Sequence, residues 1–146
     1  MPRRSAEVPV REAGIIAGLS ATVDLEVTEA DTATACRSGD VPVLSTPRLV
    51  ALCEEASCAA LRGHLGPGQT TVATRVGFDH VGPVAVGERV TAEATLERVE
   101  GRRLMFTLSA SLRSPRRAGL VGAGRLTRVL VDRDTFLAKT DVVGPG

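Results

Sequence analysis

PRLVALCEEASCAALR, residues 47–62, reads as one helix, with Thr46 in the N-cap place, Pro47 at the first helical position and Gly63 just past the end. Its polar residues sort by spacing. Arg48, Glu55 and Arg62 recur every seven residues and form one narrow stripe, the solvated edge of a mostly buried helix. Glu54 lies about 100° from that stripe. The residues one and two turns from it, Pro47, Val50, Ala51, Cys58 and Leu61, are apolar or small and offer a carboxylate no cationic partner. A carboxylate so placed must be neutralised, hydrogen-bonded or used in chemistry. Glu55, by contrast, belongs to the Arg48 and Arg62 stripe and reads as a surface residue.

Outward from the helix the periodicity changes. Residues 1–19 mix charge with glycine and proline and predict an arm, followed by a strand near residues 21–27, ATVDLEV. On the other side, the Gly66-Pro67-Gly68 turn opens a strand over residues 70–78, in which Val72, Thr74, Val76 and Phe78 share a face that His80 continues. Val90, Ala92, Ala94 and Leu96 then alternate with polar residues, Gly101 turns the chain, and Phe106, Leu108, Ala110 and Leu112 alternate again. This is a two-strand meander with one buried face. A last strand over residues 119–131 carries Gly119, Gly122 and Gly124, which weaken a strand unless something must approach its backbone. One small-residue helix followed by four strands predicts an α+β domain, an antiparallel sheet wrapped around a central helix. Its edge strand is commonly managed by pairing two subunits, so a homodimer is expected.

Bulk composition excludes several classes. The 146 residues fit a single domain, and 43% hydrophobic with 24% charged residues is ordinary for a globular protein. Net charge is +1 and only 2% of residues are aromatic, which argues against a nucleic-acid surface. Arg3-Arg4 and the Arg113, Arg116, Arg117 cluster read as a solvated terminus and a hairpin turn, although the phosphate of an acyl-CoA could use such a patch. Cys36, Cys53 and Cys58 are odd in number and lack metal-ligand spacing, so free thiols in a reducing cytoplasm are expected. No run approaches the 18 or so apolar residues of a membrane span, and the charged N-terminal residues do not resemble a signal peptide. Two histidines and scattered acids make no metal-ligand set, and no metal or other cofactor is expected. His64, just past the helix, is expected to be exposed near the negative end of the dipole. Residues 140–146 are expected to fray.

Four stretches together resemble the fluoroacetyl-CoA thioesterase family of hotdog-fold proteins: residues 43–60 (VLSTPRLVALCEEASCAA), 65–72 (LGPGQTTV), His80 with the following Val81-Gly82-Pro83, and 99–104 (VEGRRL). The similarity spans about residues 41–138. The resemblance implies a catalytic set of a Thr at the helix start, a Glu two turns into it and a His on the following strand, which fall on Thr46, Glu54 and His80. It also implies that a small residue early in that strand lends a backbone amide near the substrate carbonyl; the matching residue is Ala73. The implied activity is hydrolysis of an acyl-CoA or acyl-carrier thioester, with Glu54 as nucleophile or as general base and His80 serving the leaving thiolate or the water. Thr46 would hydrogen-bond the carboxylate or the substrate. Taken alone, Thr46 is explained by capping and His80 by its place before a turn; the three at the family's spacing point to a site.

One stretch departs from the family. Fluoroacetate-selective members carry a phenylalanine lid ahead of the catalytic Thr, but residues 36–43, CRSGDVPV, contain no aromatic, which argues for a different or broader acyl group. Part of the pocket could instead be lined by residues 14–20 of the longer arm. A hotdog dehydratase would need its own acid–base pair on an HFPG-type run, and a serine hydrolase a G-x-S-x-G elbow; neither is present. The non-enzymatic alternative is a hotdog protein that binds acyl-CoA or another hydrophobic ligand without turnover.

Overall fold

A computed structural model describes residues 14–140; the expected arm over 1–13 and the tail over 141–146 lie outside them. In chain order the elements are strand β1 (Ser20–Glu26), a 3-10 turn (Glu29–Asp31), helix α1 (Ala33–Cys36), helix α2 (Thr46–Leu61), strands β2 (Gln69–His80), β3 (Arg89–Glu100), β4 (Arg103–Arg113) and β5 (Ala118–Asp132), and helix α3 (Arg133–Ala138). The strands form one antiparallel sheet in the order β1-β3-β4-β5-β2, which leaves β1 and β2 at its edges. Among the described residues no helix is long and apolar enough to cross a membrane.

Alternation builds the core. Val90, Ala92, Ala94 and Leu96 on β3 and Leu104, Phe106, Leu108, Ala110 and Leu112 on β4 are all buried, and Leu49, Leu52, Cys53, Ala56 and Ala60 of α2 pack against them. The alanines let the helix lie close to the sheet, and it does so over β1 and β3 while barely reaching β2. The predicted element order therefore holds.

The face assignment on β2 needs one correction. A β-bulge between Ala73 and Arg75 places Thr74 opposite no residue of β5. An extra residue reverses the parity of everything beyond it. Val76, Phe78 and His80 share the inward face as predicted, but Thr71 and Ala73 precede them on that face and Val72 points the other way, because Ala73 pairs with Arg128 and Val76 with Leu126. The glycines of β5 have the predicted role of close approach. A Cβ on Gly122 would sit 2.5 Å from the Phe78 ring, and one on Gly124 would collide with the Gly77 carbonyl.

The visible part of the arm joins the fold rather than a pocket beside Thr46. Ile15 is fully buried, Gly18 and Leu19 bond the backbone of Leu96, and the half-buried His64 ring donates from Nδ1 to the Gly14 carbonyl at 3.0 Å. His64 is thus less exposed than its position past a helix end implies, because the arm covers it.

Candidate active site

The start of α2 is fixed by Ser45, not Thr46. Ser45 is extended (φ −77°, ψ 151°), its Oγ accepts from the Arg48 amide at 3.1 Å, and its own amide donates to the Asp31 carbonyl. Asp31 is itself anchored by the Thr28 amide and hydroxyl and by Arg48 Nε at 3.1 Å. Burial opposes the charge on Asp31, but these bonds outweigh it and hold the carboxyl below the ordinary value. The cap expected at Thr46 therefore sits one residue earlier. The consequence is chemical: Thr46, in the first turn, has a hydroxyl that capping does not consume.

That hydroxyl meets His80. Thr46 Oγ1 and His80 Nδ1 lie 2.7 Å apart, joining the helix start to the end of β2. Whichever ring nitrogen carries the proton, His80 Nε2 is buried without a hydrogen-bond partner among the described residues. A buried polar atom left unpaired costs roughly 1–3 kcal/mol, so this nitrogen is poised to gain from a ligand or a second chain. Thr46 and His80 line a cavity of about 430 Å³ with Pro47 and the Val81-Gly82-Pro83 turn on one side and Ser38, Gly39, Val41 and Val43 on the other. The stretch without aromatics thus forms one wall, furnished with small and aliphatic side chains.

Glu54 stands apart within the chain. Eight residues of helix separate it from Thr46, about 12 Å along the axis. Its carboxylate cannot reach the Thr46 hydroxyl of its own chain, so of the two partners expected for Thr46, the carboxylate or the substrate, the first is out of reach within one chain, where the hydroxyl pairs with His80. Glu54 is half-buried and lines a second cavity of about 530 Å³ with Thr22, Ala51, Cys58 and Arg128. Among the described residues its carboxylate has no ion pair or hydrogen bond, while its carbonyl accepts from Ser57 Oγ at 2.6 Å. Beside it, burial pushes the Cys53 thiol up to about 11, with the charge of Glu54 adding to the effect, so Cys53 is no nucleophile. The apolar face around Glu54 is real, but Pro47, Ala51 and Cys58 on it are exposed. Glu55 bridges Arg48 at 3.4 Å and is solvent-facing, as its stripe implied.

Ala73 lies on the inward face of β2 beside the bulge, uncovered by α2. Across from it is a residue the sequence reading passed over. Arg128 is only 7% exposed and points inward between Leu126 and Leu130. Its signal was present in RLTRVL, residues 125–130, where a cation occupies the apolar parity of a strand.

The sequence pattern described as fluoroacetyl-CoA-specific thioesterase matches residues 27–134. The fluoroacetyl-CoA thioesterase of Streptantibioticus cattleyicolor is 32% identical over 99 residues, which cover 66% of this chain and 67% of that protein. A solved structure of a fluoroacetyl-CoA thioesterase superposes with a TM-score of 0.79 at 28% identity, covering 90% of this chain and 99% of the other. A hot-dog-like protein from Thermanaerovibrio acidaminovorans superposes with a TM-score of 0.78 at 26% identity, covering 89% and 93%.

Proposed function

The chain belongs to the fluoroacetyl-CoA-specific thioesterase family and is an acyl-CoA thioester hydrolase, and from that premise we propose that Thr46, Glu54 and His80 carry the reaction in a site shared between the two subunits of a homodimer. The observation that carries the reading is the 2.7 Å Thr46–His80 pair with its orphaned Nε2 at a cavity wall. Helical geometry supplies the rest. Thr46, Val50 and Glu54 follow one another at four-residue intervals and form a single ridge on the face that the chain leaves open. A twofold axis near Val50 sets two such ridges antiparallel, and Thr46 of one chain then meets Glu54 of the other, since an isologous interface is self-complementary. The exposed Pro47, Ala51 and Cys58 and the edge strand β2 fit the same pairing.

In such a site His80 protonates the leaving thiolate as the acyl carbon–sulfur bond breaks, Thr46 orients the ring, and amides at the start of α2 and at Ala73 hold the carbonyl oxygen. Glu54 either attacks the carbonyl carbon, giving an anhydride that water then opens, or removes the proton of an attacking water. Single turnover in ¹⁸O-water distinguishes them, because only the anhydride route can leave label in the Glu54 carboxylate. With small and aliphatic walls and no aromatic in residues 36–43, the favoured substrates are small to medium acyl-CoA thioesters, hydrolysed without a cofactor. Three unpaired cysteines fit the cytoplasm.

Free-thiol release from a panel of short, branched and aromatic acyl-CoAs tests the reading, with Glu54→Gln and His80→Ala beside the native protein. Turnover of one acyl class that both variants lose is the expected result. No turnover of any member, with acyl-CoA still raising the melting temperature, would instead make this a binding protein.

A further inference from the structure

We propose that the hairpin joining β4 to β5 seats the nucleotide end of the acyl-CoA substrate, with its phosphates on Arg113 and Arg116, and so makes coenzyme A rather than a carrier protein the thiol that this enzyme releases. This seat rests on the thioester site assigned above to Thr46 and His80, and it holds the far end of the same substrate. The hairpin and that site share a wall. Arg117 Nη2 donates to the Pro83 carbonyl at 3.0 Å, and the Val81 and Gly82 amides donate to the Val121 carbonyl at 2.8 and 3.3 Å. Val81, Gly82 and Pro83 line the cavity that holds Thr46 and His80. Beyond them Ser111, Leu112, Arg113, Ser114 and Leu120 line a second hollow of about 640 Å³. A Cβ on Gly82 would lie 3.7 Å from the Leu120 carbonyl, so the two hollows adjoin at that contact. A long, flexible thioester seated at His80 can cross this boundary onto the hairpin.

Charge and shape both fit a phosphate-bearing nucleotide. Arg89 stands directly opposite Arg113 in the pairing of β3 with β4, and Arg116 and Arg117 follow in the turn. Glu26 meets Arg89 at 3.4 Å and Glu88 meets Arg117 at 2.8 Å, whereas Arg113 and Arg116 are exposed and pair with no carboxylate among the described residues. Like charges directly opposite in a sheet are destabilising, and an anion would relieve them. Guanidinium groups offer phosphate oxygens a planar fork of donors, and coenzyme A carries a diphosphate and a 3′-phosphate beyond its pantetheine arm. Leu120 is 56% exposed and gives the hollow an apolar side on which a base can lie. An acidic carrier protein is the competing partner for a basic patch, but a concave site with one apolar side and a few polar groups is built for a small molecule rather than for a protein face.

The test measures kcat and KM for one acyl group carried on coenzyme A, on pantetheine and on an acyl-carrier protein, using the native protein, the double variants Arg113→Ser/Arg116→Ser and Arg113→Lys/Arg116→Lys, and His80→Ala. The serine pair should raise KM for the acyl-CoA about tenfold at low salt with little change in kcat, and the lysine pair should recover most of that loss. The gap to the native protein should shrink as ionic strength rises toward about 1 M. On acyl-pantetheine, which lacks the nucleotide, the native protein should itself show the raised KM, and the serine pair should match it. Adenosine 3′,5′-bisphosphate, titrated by calorimetry, should bind the native protein and His80→Ala but not the serine pair. Should the serine pair fail to fold, Arg116→Ser alone, in the exposed turn, decides the matter with an expected rise in KM of about threefold. The proposal is overturned by an unchanged KM for acyl-CoA in the folded variants, by an equal further loss on acyl-pantetheine, or by a loss confined to the carrier-protein substrate, which would give the patch to an acidic protein. Full turnover in His80→Ala would instead overturn the thioester site on which the seat rests.

Discussion

The two sides of α2 are built from similar residues and meet different surroundings. On one side Leu49, Leu52, Cys53, Ala56 and Ala60 are buried against β1 and β3, and the preceding loop is anchored by the Asp31–Arg48 pair. On the other, Pro47, Ala51 and Cys58 are just as apolar but exposed, and they flank Glu54. Apolar residues left open along a helix are an interface in waiting. On the proposed reading the chemistry sits on the open side, because a closed one has no room for substrate and because pairing with a second chain would desolvate a carboxylate there.

Neighbouring substitutions separate the sides. Ala51→Arg puts a long cation into the open face, and it should abolish thiol release and halve the mass seen by light scattering while leaving the circular dichroism of the fold intact. An active, dimeric Ala51→Arg would break the contrast, since that face would then be plain solvent-exposed surface. Leu52→Ala, one residue on and fully buried, should cost about 2–5 kcal/mol in chemical denaturation by leaving a cavity, with the activity per folded molecule retained.

The loop on the closed side adds a pH dependence. Asp31 has a folded-state carboxyl below its ordinary value of 3.8, so its contribution is complete above that pH and is lost as the pH falls through the lower folded value. Asp31→Asn should therefore destabilise the protein by about 2 kcal/mol at neutral pH, through loss of charge-assisted bonds. The gap to the native protein should close as denaturation is followed below pH 3.8. A gap that persists undiminished in acid would assign Asp31 a role independent of its charge. The smallest effect is a labelling rate. Cys36 and Cys58 are exposed in the single chain and Cys53 is buried with its thiol raised to about 11. In the proposed dimer only Cys36 should react quickly with a maleimide, and Cys58 should join it in Ala51→Arg.

Much of this was legible in the residues. Strict alternation in β3 and β4 gave both strands and the faces they bury, because a period of two can be read without knowing the partner. The oddity of Glu54 was visible from helical spacing alone. What failed was local and non-periodic. Ser45 and Thr46 are both good caps, and only the backbone bend at Ser45 decides which serves; that decision frees the Thr46 hydroxyl for His80. The bulge at Thr74 leaves no mark in composition, yet it moves Ala73 to the inward face. Arg128 was readable by parity as a cation at a core position, but its partners Thr71 and Ser57 lie 57 and 71 residues away in sequence.

The shared site is tested most directly by subunit complementation. Glu54→Gln and the double variant Thr46→Ala/His80→Ala, each inactive alone, are denatured together, refolded as a mixture and assayed for thiol release. If Thr46 and His80 of one chain work with Glu54 of the other, each mixed dimer holds one intact site, and the mixture should recover about a quarter of native activity. A mixture as inactive as its components, with mixed dimers demonstrated by native mass spectrometry, would contradict the shared site and place all three residues' work within a single chain.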